Sequence, residues 1–346
     1  MKRVVIIGGG FTGANTAKIL EKNFEVMLID TKDYFEFTPS ILKTLTNPEL
    51  FNKIKLNHRD YLKKSRLVLG KAEKISKNSV FVNGREIFFD YLVIAAGSSY
   101  ETPLKNHNSS PISKLNNIEG IHKKIEFFKK IVIVGGGPVG VELASELITF
   151  YPGKEVVLFT SSGSLIPRNS QKSQKIAQDF LKKKGVKINL NKRIISKENT
   201  SILENGKVIT GDYFFLCTGI KNNSGFIEKS TKEMLNEKNQ VKVNSFLQVR
   251  GFKNIFAGGD IIDTDEEKTA QSAVLHSWII NRNIINMEKR KSLIKYKIKK
   301  RLTLISLGRA NGILEYKGFS LGGLIPAILK KIIEKRQLIG LKTRLF

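Results

Sequence analysis

The residues with the most specific chemistry in this 346-residue chain are two glycine clusters. The first, Gly8-Gly9-Gly10-Phe11-Thr12-Gly13, follows the β-branched run Val4-Val5-Ile6-Ile7 and opens the helix-forming stretch Ala14 to Leu20. A strand, a glycine turn and a helix in that order suit the pyrophosphate of a dinucleotide. Gly8 permits the tight turn, Gly10 lets the backbone approach the phosphates, and Gly13 lets the helix pack close to the strand. The helix N-terminus adds free N–H groups and the positive end of its dipole. A second apolar strand, Glu25 to Ile29, ends at Asp30, where a carboxylate can accept hydrogen bonds from ribose hydroxyls.

The pattern recurs 127 residues further on, where Ile131-Val132-Ile133-Val134 leads into Gly135-Gly136-Gly137-Pro138-Val139-Gly140 and a helical stretch containing Glu142. Two cradles imply two dinucleotides in one chain. The second strand of this repeat, Glu155 to Phe159, ends in Thr160-Ser161-Ser162 and lacks a carboxylate. An acid at that place favours NADH and repels the extra phosphate of NADPH, so the sequence leaves both cofactors open. Arg168 reads either as a partner for a 2′-phosphate or as a solvated surface arginine.

Three further motifs extend the pattern. Asp90 to Gly97 and Asp212 to Gly219 are apolar strands closing on Ala96-Gly97 and Thr218-Gly219, and Asn254-Ile255-Phe256-Ala257-Gly258-Gly259-Asp260 follows the second of them. With both glycine loops in order, these motifs resemble the FAD- and NAD(P)-dependent pyridine nucleotide oxidoreductases. Phe37-Thr38-Pro39-Ser40-Ile41-Leu42 carries no cysteine, which sets aside the disulfide reductases and the sulfide:quinone reductases. What remains resembles type II NADH:quinone dehydrogenases and, more closely, the apoptosis-inducing-factor-like group known as ferroptosis suppressor protein. The stretch Lys268 to His276 is similar to the flavin-side helix of both, with Ala270-Gln271 in the manner of the former and Lys268 and His276 in the manner of the latter. Ser306 to Arg309 and Gly322 through Lys330 resemble the tail of the latter group.

The resemblance implies FAD at Gly8, Gly10, Phe11, Thr12, Gly13, Asp30, Pro39, Ala96, Gly97, Gly259, Asp260, Lys268, Thr269 and Ala270. It implies NADH or NADPH at Gly135, Gly137, Pro138, Val139, Gly140, Glu142, Thr218 and Gly219. The implied activity is hydride transfer from NAD(P)H to the flavin, then delivery of two electrons to a quinone. Glu142 matches the acid that faces nicotinamide and flavin in this superfamily; the plain alternative is an exposed helix acid. Lys268 would place a cation where the reduced flavin carries charge. His276 titrates near neutral pH and could give a proton to a quinone, or it could be structural.

These motifs need an α/β architecture of two Rossmann-like domains. The order predicts an FAD domain over 1–111 and 240–287, with the NAD(P) domain inserted over 112–239. A small basic α+β unit occupies 288–346, in which Leu302 to Leu307 reads as a strand. Lys plus Arg number 59 against 31 Asp plus Glu, a net charge of +28. Residues 288 to 346 hold 16 of those cations and 3 of the acids. Over Leu324 to Ile339, Leu324, Ile325, Ile328, Leu329, Ile332, Ile333 and Leu338 cover one helical face, and Lys330, Lys331, Lys335 and Arg336 the other. Such a helix can lie on an anionic membrane surface or dock on the protein's own core or on a second copy in a homodimer. The single cysteine, Cys217, excludes an intramolecular disulfide and an internal redox pair. With no export signal or spanning run, the expected location is cytoplasmic, peripheral on the inner face of the membrane. A reductase for a small acidic carrier such as ferredoxin or rubredoxin, or a nucleic-acid-associated signalling flavoprotein, is the alternative that the charge allows. No metal site and no specific nucleic-acid motif is expected.

Overall fold

The computed structural model describes residues 1–100, 111–197, 200–203, 206–299 and 302–343. Segment 101–110, at the expected junction of the first domain with the inserted one, lies outside these, as does the side chain of Leu338. The first sheet is built from β1 (Arg3–Ile7), β2 (Glu25–Asp30), β3 (Arg66–Leu69) and β4 (Tyr91–Ile94), with α1 (Phe11–Leu20) connecting β1 to β2. The second contains β5 (Lys130–Val134), β6 (Glu155–Phe159), β7 (Lys187–Asn189) and β8 (Tyr213–Leu216), with α2 (Pro138–Phe150) after β5. The chain then returns: β9 (Ile255–Ala257) pairs with β4 and completes the first sheet in the order β9-β4-β1-β2-β3. The second sheet runs β7-β6-β5-β8, and both are parallel throughout.

Parallel strands covered on both faces need continuous apolar runs rather than alternation, which is how Val4 to Ile7 and Ile131 to Val134 read. All eight are buried. In the second sheet, Val132, Val134, Val157 and Phe159 form a cluster with Ile209, while Ile131 and Ile133 join the main core. Neighbouring side chains of one strand thus serve opposite faces.

After β9, α3 (Ala270–Glu288) packs along α1, and Thr12 Oγ1 donates to Ala273 O across that contact at 2.9 Å. An antiparallel meander of β10 (Thr303–Leu307), β11 (Asn311–Tyr316) and β12 (Phe319–Gly323) leads into α4 (Leu324–Thr343). Of the four cations expected on the polar face of α4, Lys331, Lys335 and Arg336 are exposed but Lys330 is buried, with Ala327 and Leu341; Leu324, Ile325, Ile328, Ile332 and Ile339 are exposed. Ion pairs explain the burial of Lys330. Lys330 Nζ meets Glu142 Oε1 of α2 at 2.6 Å, and Glu334 accepts from Lys43 Nζ at 3.2 Å. Lys18 of α1 donates to the terminal carbonyls of Gly340 and Leu341, a cation at the negative end of the helix dipole. Charged groups therefore bind α4 to both sheets' helices, and part of its apolar surface faces outward.

Candidate active site

Both cradles close with the same hydrogen bond: Gly8 N–H donates to Ile29 O and Gly135 N–H to Phe159 O, each at 2.8 Å. Their glycines divide by what a side chain would meet. A Cβ on Gly8 would lie 2.4 Å from Ala95 O, and one on Gly13 1.8 Å from Gly8 O. Gly135 and Gly140 are as crowded, against Cys217 O at 2.2 Å and Gly135 O at 1.9 Å. A Cβ on Gly10 or Gly137 would meet nothing within 4 Å. The N-cap residues of α1 and α2 are Gly10 and Gly137, with no side chain to cap the first turn, in contrast to α3, where Thr269 accepts from Ser272 N–H. Each cradle thus offers open backbone N–H groups beside open space, which fits a pyrophosphate. Pro138 is exposed and Val139 half-buried at the second.

Asp30 is fixed under the first cradle. Its Oδ2 accepts from Gly9 N–H at 2.7 Å and faces His58 Nε2 at 3.4 Å, while His58 Nδ1 lies 2.6 Å from Tyr61 Oη. Burial would push the Asp30 carboxyl up, but the bond from His58 and the charge of Lys32 outweigh it and hold it below the usual range. Oδ1 accepts from Lys32 N–H at 3.2 Å and from Thr31 Oγ1 at 3.4 Å. His58 was not found by sequence, since a buried imidazole under a loop leaves no local pattern. Phe11 packs edge-on against Phe35 and Phe37 near half-buried Pro39, and the Thr12 hydroxyl is committed to α3.

The exits of β4 and β8 meet between the sheets. Ser98–Ser99 pairs antiparallel with Lys221–Asn222, and Asn223 Nδ2 donates to Ala96 O at 2.7 Å, its N–H to Gly97 O at 3.1 Å. Thr218 and Gly219 are exposed just before this junction. Ser98 Oγ donates to Asp260 Oδ2 at 2.6 Å. Tyr100, also at the junction and unmarked by any motif, has its phenol pushed up to about 12, by burial first and then by the charges of Asp260, Cys217 and Glu142.

His276 and Lys268 hold backbone rather than stand free. His276 is fully buried; its Nδ1 accepts from Gly259 N–H at 3.1 Å and its Nε2 lies 2.9 Å from Glu266 Oε1. Tyr296 Oη donates to both Glu266 oxygens at 2.7 Å, and Ser272 Oγ to one at 3.0 Å. Burial favours the neutral acid, yet the bonds from His276 and Tyr296 prevail and hold Glu266 down at about 2. Lys268 Nζ donates to Ile262 O at 2.7 Å and Thr264 Oγ1 at 3.0 Å; burial lowers its pKa against the pull of Glu266, Asp260 and Asp263. Ala270, at the start of α3, is half-buried. Glu142 accepts from Ser306 N–H at 2.8 Å as well as from Lys330. Lys330 was not legible as a partner of Glu142, because its helical position groups it with solvent-facing lysines.

Two parallel sheets, each ending in a glycine cradle and joined where Ser98–Ser99 pairs with Lys221–Asn222, define a two-dinucleotide-fold oxidoreductase. The chain belongs to the pyridine nucleotide-disulphide oxidoreductase family, whose model matches residues 2–277. It is 33% identical to apoptosis-inducing factor homolog A of Dictyostelium discoideum over 95% of this chain and 88% of that one. It is 32% identical to human ferroptosis suppressor protein 1, covering 94% and 92% respectively. The fold is shared with NDH2 of Plasmodium falciparum solved in complex with NADH, at a TM-score of 0.84, 16% identity and coverage of 99% and 96%. It is shared too with the sulfide:quinone oxidoreductase of Aquifex aeolicus, at 0.85, 19% identity and coverage of 99% and 92%. With one cysteine, the chain cannot run chemistry on an internal disulfide.

Proposed function

We propose that this protein is an FAD-dependent NAD(P)H:quinone oxidoreductase that works at an anionic membrane surface. The observation that carries the reading is the pair of open cradles, on two parallel sheets whose exits pair through Ser98–Ser99 and Lys221–Asn222. When bound, FAD would accept hydride from the nicotinamide and pass two electrons to the quinone. Gly8 to Gly13 and Asp30 would hold the FAD pyrophosphate and adenosine ribose. Asp260 would hold a hydroxyl of the flavin chain while Ser98 orients its carboxylate. Gly135 to Gly140 would hold the NAD(P)H pyrophosphate, and Glu142, fixed by Lys330 and Ser306, would border the nicotinamide. His276 is assigned positioning of Gly259 and Asp260 rather than proton delivery, since both its ring nitrogens are engaged. Lys268 would contribute its positive charge while it holds the 262–264 loop.

The membrane part rests on α4. Its exposed stripe of Leu324, Ile325, Ile328, Ile332 and Ile339 is accompanied by exposed Lys331, Lys335 and Arg336. Apolar side chains flanked by cations suit insertion at an anionic interface, each cation adding about 1 kcal/mol. Among the described residues no helix is long and apolar enough to cross a membrane. The test is anaerobic stopped-flow absorbance of the yellow protein mixed with NADH or NADPH, then with a soluble quinone. Bleaching and rapid reoxidation are expected; bleaching without reoxidation would redirect the electrons to an acidic protein carrier, and absence of flavin would end the reading.

A further inference from the structure

The shared hydrogen bond at the two cradles allows them to be matched residue by residue, and the residue after Ile29 or Phe159 is Asp30 in one and Thr160 in the other. Both side chains sit against the middle glycine. A Cβ on Gly9 would lie 2.3 Å from Asp30 Oδ2, and one on Gly136 would lie 2.8 Å from Thr160 Cβ. Thr160 therefore occupies the place from which a carboxylate would accept a 2′-hydroxyl and repel a 2′-phosphate. What surrounds it is basic. Thr160 N–H donates to Asn189 O at 3.0 Å, Lys192 N–H to Thr160 O at 2.8 Å, and Asn191 N–H to Ser162 O at 3.1 Å. Those bonds lay the 189–193 segment along the Thr160-Ser161-Ser162 turn and bring Lys192 and Arg193, both exposed, beside it. Neither 160–170 nor 182–197 contains an Asp or Glu.

We infer that this chain prefers NADPH to NADH, with Ser161 and Ser162 donating to the 2′-phosphate and Lys192 and Arg193 neutralising it. The inference rests on the proposed reading of the second cradle as the pyridine nucleotide site. A dianionic phosphate beside two solvent-facing cations is bound partly by charge, so its share of the affinity weakens with salt. The test is calorimetric titration of the flavin-loaded full-length protein with NADP+ and with NAD+, at about 50 and about 300 mM salt. NADP+ is expected to bind about tenfold tighter or more at low salt, and to lose more affinity than NAD+ as salt rises. Lys192→Ala with Arg193→Ala should abolish the preference and Thr160→Asp should reverse it, with flavin absorbance reporting that each variant is folded. Equal affinities, tighter NAD+, or an undiminished preference in the double variant would overturn the inference alone. Binding of neither nucleotide to the yellow protein would overturn both the inference and the site reading beneath it.

Discussion

Gly8 and Gly10 look alike in the sequence but do different work. At φ +99° and 2.4 Å from Ala95 O, a Cβ at position 8 strains the backbone and strikes a neighbouring strand; at position 10 it enters open space. Gly8→Ala should therefore lower stability by about 3 kcal/mol. Gly10→Ala should melt near wild type yet bind flavin more weakly. Thermal melts beside flavin content separate the two, and equal melting would refute the distinction. The Glu266 carboxyl, held at about 2, gives a pH signature. A carboxyl depressed by folding stabilises fully above its unfolded value, and that contribution fades between about pH 5 and pH 2. Glu266→Gln should melt below wild type at neutral pH, the gap closing near pH 2. For His276, whose nitrogens serve Gly259 and Glu266, the Gln variant should release flavin more readily while keeping the shape of the quinone-turnover profile from pH 6 to 8. A flattened profile would restore His276 as a proton donor.

The element that repays attention is α4. Its inward side carries Lys330 and Glu334 among Ala327, Leu329, Ile333 and Leu341, and its outward side exposes Leu324, Ile325, Ile328, Ile332 and Ile339 beside Lys331, Lys335 and Arg336. The polar tethers explain the choice: the partners Glu142, Lys43 and Lys18 lie on elements far away in the chain. Lys330→Met would leave Glu142 with only the Ser306 N–H in a largely buried setting, at a cost of about 2 kcal/mol. Hydrogen exchange should then quicken along α4 and at Ser306, whereas protection equal to wild type would show that packing alone holds the helix. Lys18→Met should loosen the last turn of α4, where the carbonyls of Gly340 and Leu341 accept from it.

At the scale of the whole molecule, the C-terminal unit is fastened to both sheets. Lys330 reaches α2, Glu334 reaches the 38–45 turn, Lys18 holds the end of α4, and Glu315 of the meander accepts from Ser170 N–H at 3.1 Å. Removing α4 would therefore disturb Glu142 on α2 as well as any membrane contact. A gentler test places Glu at Ile325, Ile328 and Ile332, all exposed, where the fold should be unaffected. Sedimentation with anionic vesicles should fall at least tenfold for this triple variant, with soluble-quinone turnover near wild type. Undiminished sedimentation would shift the membrane contact elsewhere on the basic surface.

The parallel α/β fold and both cradles were legible in the sequence because strand, glycine turn and helix are local: their signals are apolar runs, backbone freedom and residues a few positions apart. The return of Ile255 to Ala257 to the first sheet is a long-range pairing, anticipated because the Asp260 motif follows the second cradle in the chain. Tertiary structure alone decided what long-range partners determine. It gave His276 to Gly259 and Glu266, placed His58 beneath Asp30, and turned Lys330 inward onto Glu142, 188 residues away in the chain. Periodicity records which residues share a helical face; the charge waiting on another element determines which face is buried.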